Sequence, residues 1–235
     1  MIDDILLPEP LTILSITIVS IMISGIAFFK KVLDQGGSVL AFLVCFIIGT
    51  LGHWSWLLIM LIFVGSAFLA TRFAIVYKKA LGVEESDEGT RGGWNVISNG
   101  MVPAIVAIFY SLGFLEPEQA LVAFATGVAA AMADTMASEI GVLSPEPVLI
   151  TNILEKVEPG TDGGISLEGT VASLLSSVSI SMLSFAAFLL FIEENHPFYA
   201  SFSIDFWYIS SFFGFLGCII DSLLGATLEK REILD

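Results

Sequence analysis

A chain of 235 residues with 56% hydrophobic side chains, 14% charged ones and a mean hydropathy of +0.90 is too apolar for a water-soluble domain of its length. Its formal net charge of −15, with no basic surface studded by aromatic residues, excludes nucleic acid as a partner. The two cysteines, Cys45 and Cys218, fall in apolar runs without metal or redox spacing and read as small packing residues.

Taken in chain order, apolar runs occupy about 11–28, 38–52, 54–76, 98–114, 118–138, 168–191 and 205–227. Each is continuously apolar rather than alternating, so helices, which satisfy their own backbone, are the spanning elements. The class is therefore all-α: a polytopic transmembrane helical bundle of about seven spans, forming one integral membrane domain over 1–235 with the lipid bilayer as its solvent. Asp3 and Asp4 stand where a signal peptide carries Lys or Arg, so the first run reads as a retained span. The run 38–52 is the shortest. If it crosses, His53-Trp54-Ser55 is a tight outer turn; if it only dips in, the count falls by one.

Basic residues set the topology. With the N-terminus outside and the C-terminus cytoplasmic, Lys30, Lys31, Arg72, Lys78, Lys79, Arg91, Lys156, Lys230 and Arg231, all nine Lys and Arg, fall at cytoplasmic ends or loops. The remaining segments, 1–10, 114–118 and 192–204, hold only acids and His196. This describes a multi-pass protein of the cytoplasmic membrane. Two inner loops, about 77–97 and 139–167, are long enough to invite a functional role. Within the first, Glu84-Glu85-Ser86-Asp87-Glu88-Gly89 reads as a solvated acidic stretch.

Charged residues inside spans are costly and mark function. Asp134 and Asp221 each precede a hydroxyl residue in a run of small side chains. Each sits about 24 Å along its span from the outer end, so both reach a similar depth near the inner face. Two hard oxygen donors at matched depth suit Mg²⁺, which is typically held by one or two carboxylates plus substrate phosphates. Capping or bonding of neighbouring helices is the plainer reading of the same residues. Glu139 lies about 140° around an ideal helix from Asp134 and joins it only if the helix unwinds near Ser138; Gly141 and Pro145 favour an early end.

The segment Gly160-Thr161-Asp162-Gly163-Gly164-Ile165-Ser166 offers flexible backbone before a helix start, a phosphate-cradle composition that an ordinary turn shares. Arg91, Asn95 and Asn99 recur every four residues and would line one face, with a guanidinium suited to phosphate and amides suited to phosphate or a nucleobase. A positive-inside anchor with two capping amides reads equally well. No zinc site or catalytic triad can be assembled from His53 and His196.

Arg91 through Gly100, Ala133 through Gly141, Leu149-Ile150-Thr151, Gly160 through Ser166 and Asp221 through Thr227 resemble, in order, the successive motifs of the phytyl-phosphate kinase family of integral membrane proteins, long known as a domain of unknown function. The resemblance covers most of the chain from about residue 35. It departs from the family pattern at Asn95, Met136, Val148 and Asp162. What it implies is phosphoryl transfer from a nucleoside triphosphate, with CTP favoured, to a prenyl monophosphate such as phytyl or geranylgeranyl phosphate. Asp134, Asp221 and Glu139 would hold Mg²⁺, Arg91 and residues 160–166 would neutralise phosphate charge, and Asn95 and Asn99 would position nucleotide or acceptor. A cation or lipid-phosphate transporter using paired intramembrane carboxylates is the rival expectation, and a non-enzymatic scaffold a third.

Overall fold

The computed structural model describes residues 9–73, 75–82, 90–191 and 205–228. The chain order is α1 (Pro10–Phe29), α2 (Gln35–Leu51), α3 (Trp54–Arg72), α4 (Ile75–Leu81), α5 (Gly93–Ser111), α6 (Pro117–Gly141), β1 (Val148–Leu149), β2 (Asn152–Lys156), β3 (Gly164–Ile165), α7 (Leu167–Phe191) and α8 (Asp205–Leu228). Among the described residues six helices are long and apolar enough to cross a bilayer: α1, α3, α5, α6, α7 and α8. Apolar α2, with 17 residues, sits at the lower limit of spanning length. The expected all-helical membrane bundle is what the chain forms. The acidic run at Glu84–Gly89, His196, Lys230 and Arg231 lie outside the described residues.

Local chemistry sets the helix boundaries. Asp34 caps α2 by accepting from the Gly37 amide at 2.6 Å. The His53 ring caps α3, accepting from the Ser55 amide at 3.2 Å, so α2 and α3 meet in the tight turn anticipated there. At α6, Glu116 and Gln119 form a capping box ahead of Pro117 in the first turn.

The span expected over 54–76 is two elements. α3 stops at Arg72, Phe73 adopts an extended conformation, and the short α4 follows. α5 starts at Gly93, earlier than the apolar run at 98–114 predicts, with Gly92 as its extended N-cap. Arg91 therefore precedes the helix and does not share the stripe of Asn95 and Asn99. It is placed by backbone instead: its amide donates to the Val32 carbonyl at 2.9 Å and its carbonyl accepts from the Asp34 amide at 3.1 Å, a parallel bridge with Leu33.

α6 is the hub and packs on α3, α5, α7 and α8. Its buried face, including Ala120, Ala125, Val128, Ala129 and Ala133, is built from small side chains that let neighbours approach closely, the means by which helices associate in lipid. Where α8 crosses, a methyl group on Gly214 would lie 2.5 Å from Ala129 Cβ and 2.7 Å from Ser177 Oγ, so only glycine fits. Ser177 also donates to the Ser211 carbonyl at 2.8 Å, tying α7 to α8. Toward the start of α6, Phe124 stacks on Trp56 with ring centroids 4.1 Å apart, and Tyr110 of α5 completes the aromatic layer.

The long loop between α6 and α7 is not wholly irregular. It folds into a small antiparallel sheet in the order β2-β1-β3, anchored by fully buried Leu149. Three short strands in a loop rich in glycine and proline carry too few residues for an alternating pattern to stand out.

Candidate functional site

α5 and α8 flank α6 without extensive contact with each other, which leaves a cleft along α6. The cleft is a cavity of about 1210 Å³, completed by the start of α7 and the loop at 158–166. Asp134, Glu139, Asp221, Arg91, Asn95, Asn99, Gly160, Thr161, Asp162, Gly163, Gly164 and Ser166 all line it, so every candidate site residue borders a single space.

The two aspartates border the cavity from neighbouring helices, Asp134 on α6 and Asp221 on α8. Asp221 is exposed to the cavity, whereas Asp134 is half-buried. Among the described residues no group of three or more His, Cys, Asp or Glu side chains is arranged to hold a metal. Asp134 and Asp221 are two carboxylates that border the same space.

Glu139 corrects an expectation. α6 stays helical to Gly141, so it does not unwind near Ser138, and Glu139 does not turn toward Asp134. Its carboxylate accepts instead from Lys78 Nζ at 2.6 Å and from an Arg91 terminal nitrogen at 2.9 Å, with the Thr71 hydroxyl also bonded to it. The same Arg91 nitrogen donates to Thr71 Oγ1 at 2.8 Å. These side chains are almost fully enclosed, at 2% exposure for Lys78, 9% for Glu139 and 11% for Arg91. Two cations and one anion leave the cluster net positive at the cavity wall. Glu139 thus holds the Arg91 guanidinium in place at the cavity wall.

Lys78 is the residue sequence reasoning missed, having been read as a charged anchor at a span end. α4 folds back and carries its ammonium to the Ala70 carbonyl, 3.1 Å away, and to Glu139. The only signal was the apolar stretch that continues from Phe73 to Tyr77 and delivers a lysine at its end.

The glycine-rich loop is held by α8. Gly163 has φ +73°, and a Cβ there would lie 2.3 Å from Ala226 Cβ, so this position needs glycine both for its backbone conformation and for the close approach. Its contact with Ala226 joins two motifs that are far apart in sequence. Part of the loop serves the fold: the Gly164 amide donates to the Thr161 carbonyl at 2.9 Å, and Ser166 caps α7 by accepting from the Gly169 amide at 3.1 Å. The amides of Gly160, Asp162 and Gly163 make no backbone hydrogen bond among the described residues, and all three residues line the cavity. On α5, Asn99 donates to the Asn95 carbonyl at 2.8 Å, and Pro103 has no N–H to offer the Asn99 carbonyl. A second, apolar pocket of about 80 Å³ on the far side of α5 reaches the same Arg91, Asn95 and Asn99.

A bundle of apolar helices that gathers its polar and charged side chains into one cavity defines a multi-pass integral membrane protein with a ligand-sized internal site. The chain belongs to the family described as integral membrane protein DUF92, which matches residues 18–234. It is 31% identical to the uncharacterized membrane protein MJ0933 of Methanocaldococcus jannaschii, over 95% of this chain and 84% of that one. It is also 32% identical to Protein PGR of Arabidopsis thaliana, over 90% and 77% of the two chains. With Protein VTE6, chloroplastic, of the same plant, the identity is 30% over 80% of this chain and 55% of the plant protein. No solved structure matches at a significant level.

Proposed function

We propose that the protein is a membrane-embedded kinase that moves a phosphoryl group from a nucleoside triphosphate, CTP by preference, to a prenyl monophosphate such as phytyl or geranylgeranyl phosphate. The observation that carries this reading is the convergence of five separated motifs on one cavity that also reaches up between apolar helices. Family membership and similarity to VTE6 support it, because the motifs resemble those of the phytyl-phosphate kinase family.

An oxygen of the acceptor monophosphate attacks the γ-phosphorus, the bond between that phosphorus and the β–γ bridging oxygen breaks, and nucleoside diphosphate leaves as prenyl diphosphate forms. The acceptor phosphate is largely dianionic near neutral pH, so no side chain need remove a proton, and the protein's work is positioning and charge neutralisation. Asp134 and Asp221 are the residues that would hold Mg²⁺, which supplies charge neutralisation on the triphosphate when bound. Arg91, oriented by Glu139 and Thr71, faces phosphate oxygens with the loop amides of Gly160, Asp162 and Gly163. Asn95 and Asn99 position nucleotide or acceptor, and Thr161, Gly164 and Ser166 shape the loop around them.

The cavity lining reaches Val106 on α5 and Ala123 on α6, and the buried Trp56, Phe124 and Tyr110 are not part of it. That arrangement favours an enzyme over a transporter. The positive-inside rule supports a cytosolic site, where nucleotide is available. The test is radiolabelled nucleotide with prenyl monophosphate in detergent: wild type forms labelled diphosphate. Absence of product across CTP, ATP, GTP and UTP overturns the reading.

A further inference from the structure

Above its polar end the cavity changes character. Its wall on α6 is Ala123, Thr126, Gly127, Ala130 and Ala131, a strip of small residues, while Val102, Val106 and Phe213 face it from α5 and α8. Because α5 and α8 pack on α6 but not extensively on each other, no helix among the described residues bridges α5 and α8 over this part. Val102 and Phe213, at that gap, are 48% and 52% exposed.

The far end is closed. Val106 is buried, and around it and Ala123 the side chains of Ala107, Ala120, Leu121 and Phe124 are all at most 1% exposed where α5 and α6 come together. From Asp134 to Ala123 on α6, and from Asn95 to Val106 on α5, the walls run roughly 16 Å at 1.5 Å per residue. That matches one leaflet, about 15 Å of a hydrocarbon core about 30 Å thick. A single-chain lipid standing in its leaflet has its head at the interface and its chain along the bilayer normal, the same disposition as this groove and its polar end.

The geometry points to the outer part of the cavity as a channel for the acceptor's apolar chain, open sideways to lipid between α5 and α8, with Val106 and Ala123 at its closed end setting the length of chain that fits. The occupant rests on the reading of the protein as a prenyl-phosphate kinase; the groove itself does not. Each methylene the groove accepts contributes transfer free energy only if the chain is out of bulk lipid and well packed, so a short floor discriminates by excluding carbons it cannot contain.

The test is binding of geranyl and geranylgeranyl monophosphate to the protein in lipid nanodiscs, read as a shift of the thermal unfolding midpoint without nucleotide. Wild type is stabilised by both. In Ala123→Phe, affinity for the long acceptor falls roughly tenfold or more while the short acceptor binds as before. Val106→Ala acts oppositely and improves binding of the long acceptor relative to the short one, and Ile105→Phe, on the exposed face of α5 outside the cavity, changes neither. Equal loss for both lengths in Ala123→Phe, unchanged length preference in Val106→Ala, or no binding of either acceptor to wild type overturns the channel. Length-dependent binding without diphosphate formation overturns the kinase reading alone, and diphosphate formation without length dependence overturns the channel alone.

Discussion

Lys78 Nζ lies 2.6 Å from Glu139 Oε2, joining the short helix after α3 to the last turn of α6 in a nearly dry setting. A carboxylate shared by a lysine and an arginine this deeply enclosed is a commitment of the fold, because removing one partner strands the others out of water. The pair decides where Arg91 points, since the same carboxylate holds its guanidinium.

Glu139→Gln leaves two buried cations facing a neutral amide and is expected to destabilise the protein by about 3–5 kcal/mol. Lys78→Met alone costs less, because Glu139 keeps Arg91. Thermal unfolding of both singles and the double variant in one detergent gives a coupling of about 0.5–3 kcal/mol. Additive effects would mean that the two side chains do not interact in the folded protein.

Asp134→Asn and Asp221→Asn are each expected to lower diphosphate formation by about 100-fold or more, the scale of losing one electrostatic contact to the transition state. Asp221 is exposed, so its variant keeps wild-type stability within about 0.5 kcal/mol. Initial rates over a Mg²⁺ titration check the assignment. Undiminished rates in either variant remove that aspartate from the mechanism.

Gly163→Ala places a side chain in the left-handed region, at about 1–2 kcal/mol, and drives it into Ala226. Gly113→Ala provides the comparison, since Gly113 has φ +72° with nothing within 4 Å of an added Cβ. Unfolding midpoints should therefore fall further for Gly163→Ala than for Gly113→Ala, by the overlap of about 1–3 kcal/mol. Equal shifts would show that the loop and α8 do not press together.

Sidedness follows from the distribution of basic residues. In a background with Cys45 and Cys218 replaced by Ala, a cysteine at exposed Asn152 on β2 should react with a membrane-impermeant maleimide only after permeabilisation. One at exposed Glu118, at the start of α6, should react in intact cells. The reverse pattern would put the cavity on the face that nucleotide does not reach.

The spans, their boundaries to within a few residues and the family were readable along the chain, because hydrocarbon makes each crossing segment satisfy its own backbone and announce itself as an apolar run. Asp134 and Asp221 stood out for the same reason: a carboxylate inside such a run has no cheap environment. What no local pattern could reveal was how faces meet. Whether Glu139 turns to Asp134 or to Lys78 depends on where α4 folds back, and Arg91 takes its place from backbone bonds to the segment between α1 and α2. The cavity exists because α5 and α8 settle on opposite sides of α6 without closing on each other. That is a consequence of packing between segments many residues apart, where small side chains allow contact and the shape of the whole bundle chooses which contacts are made.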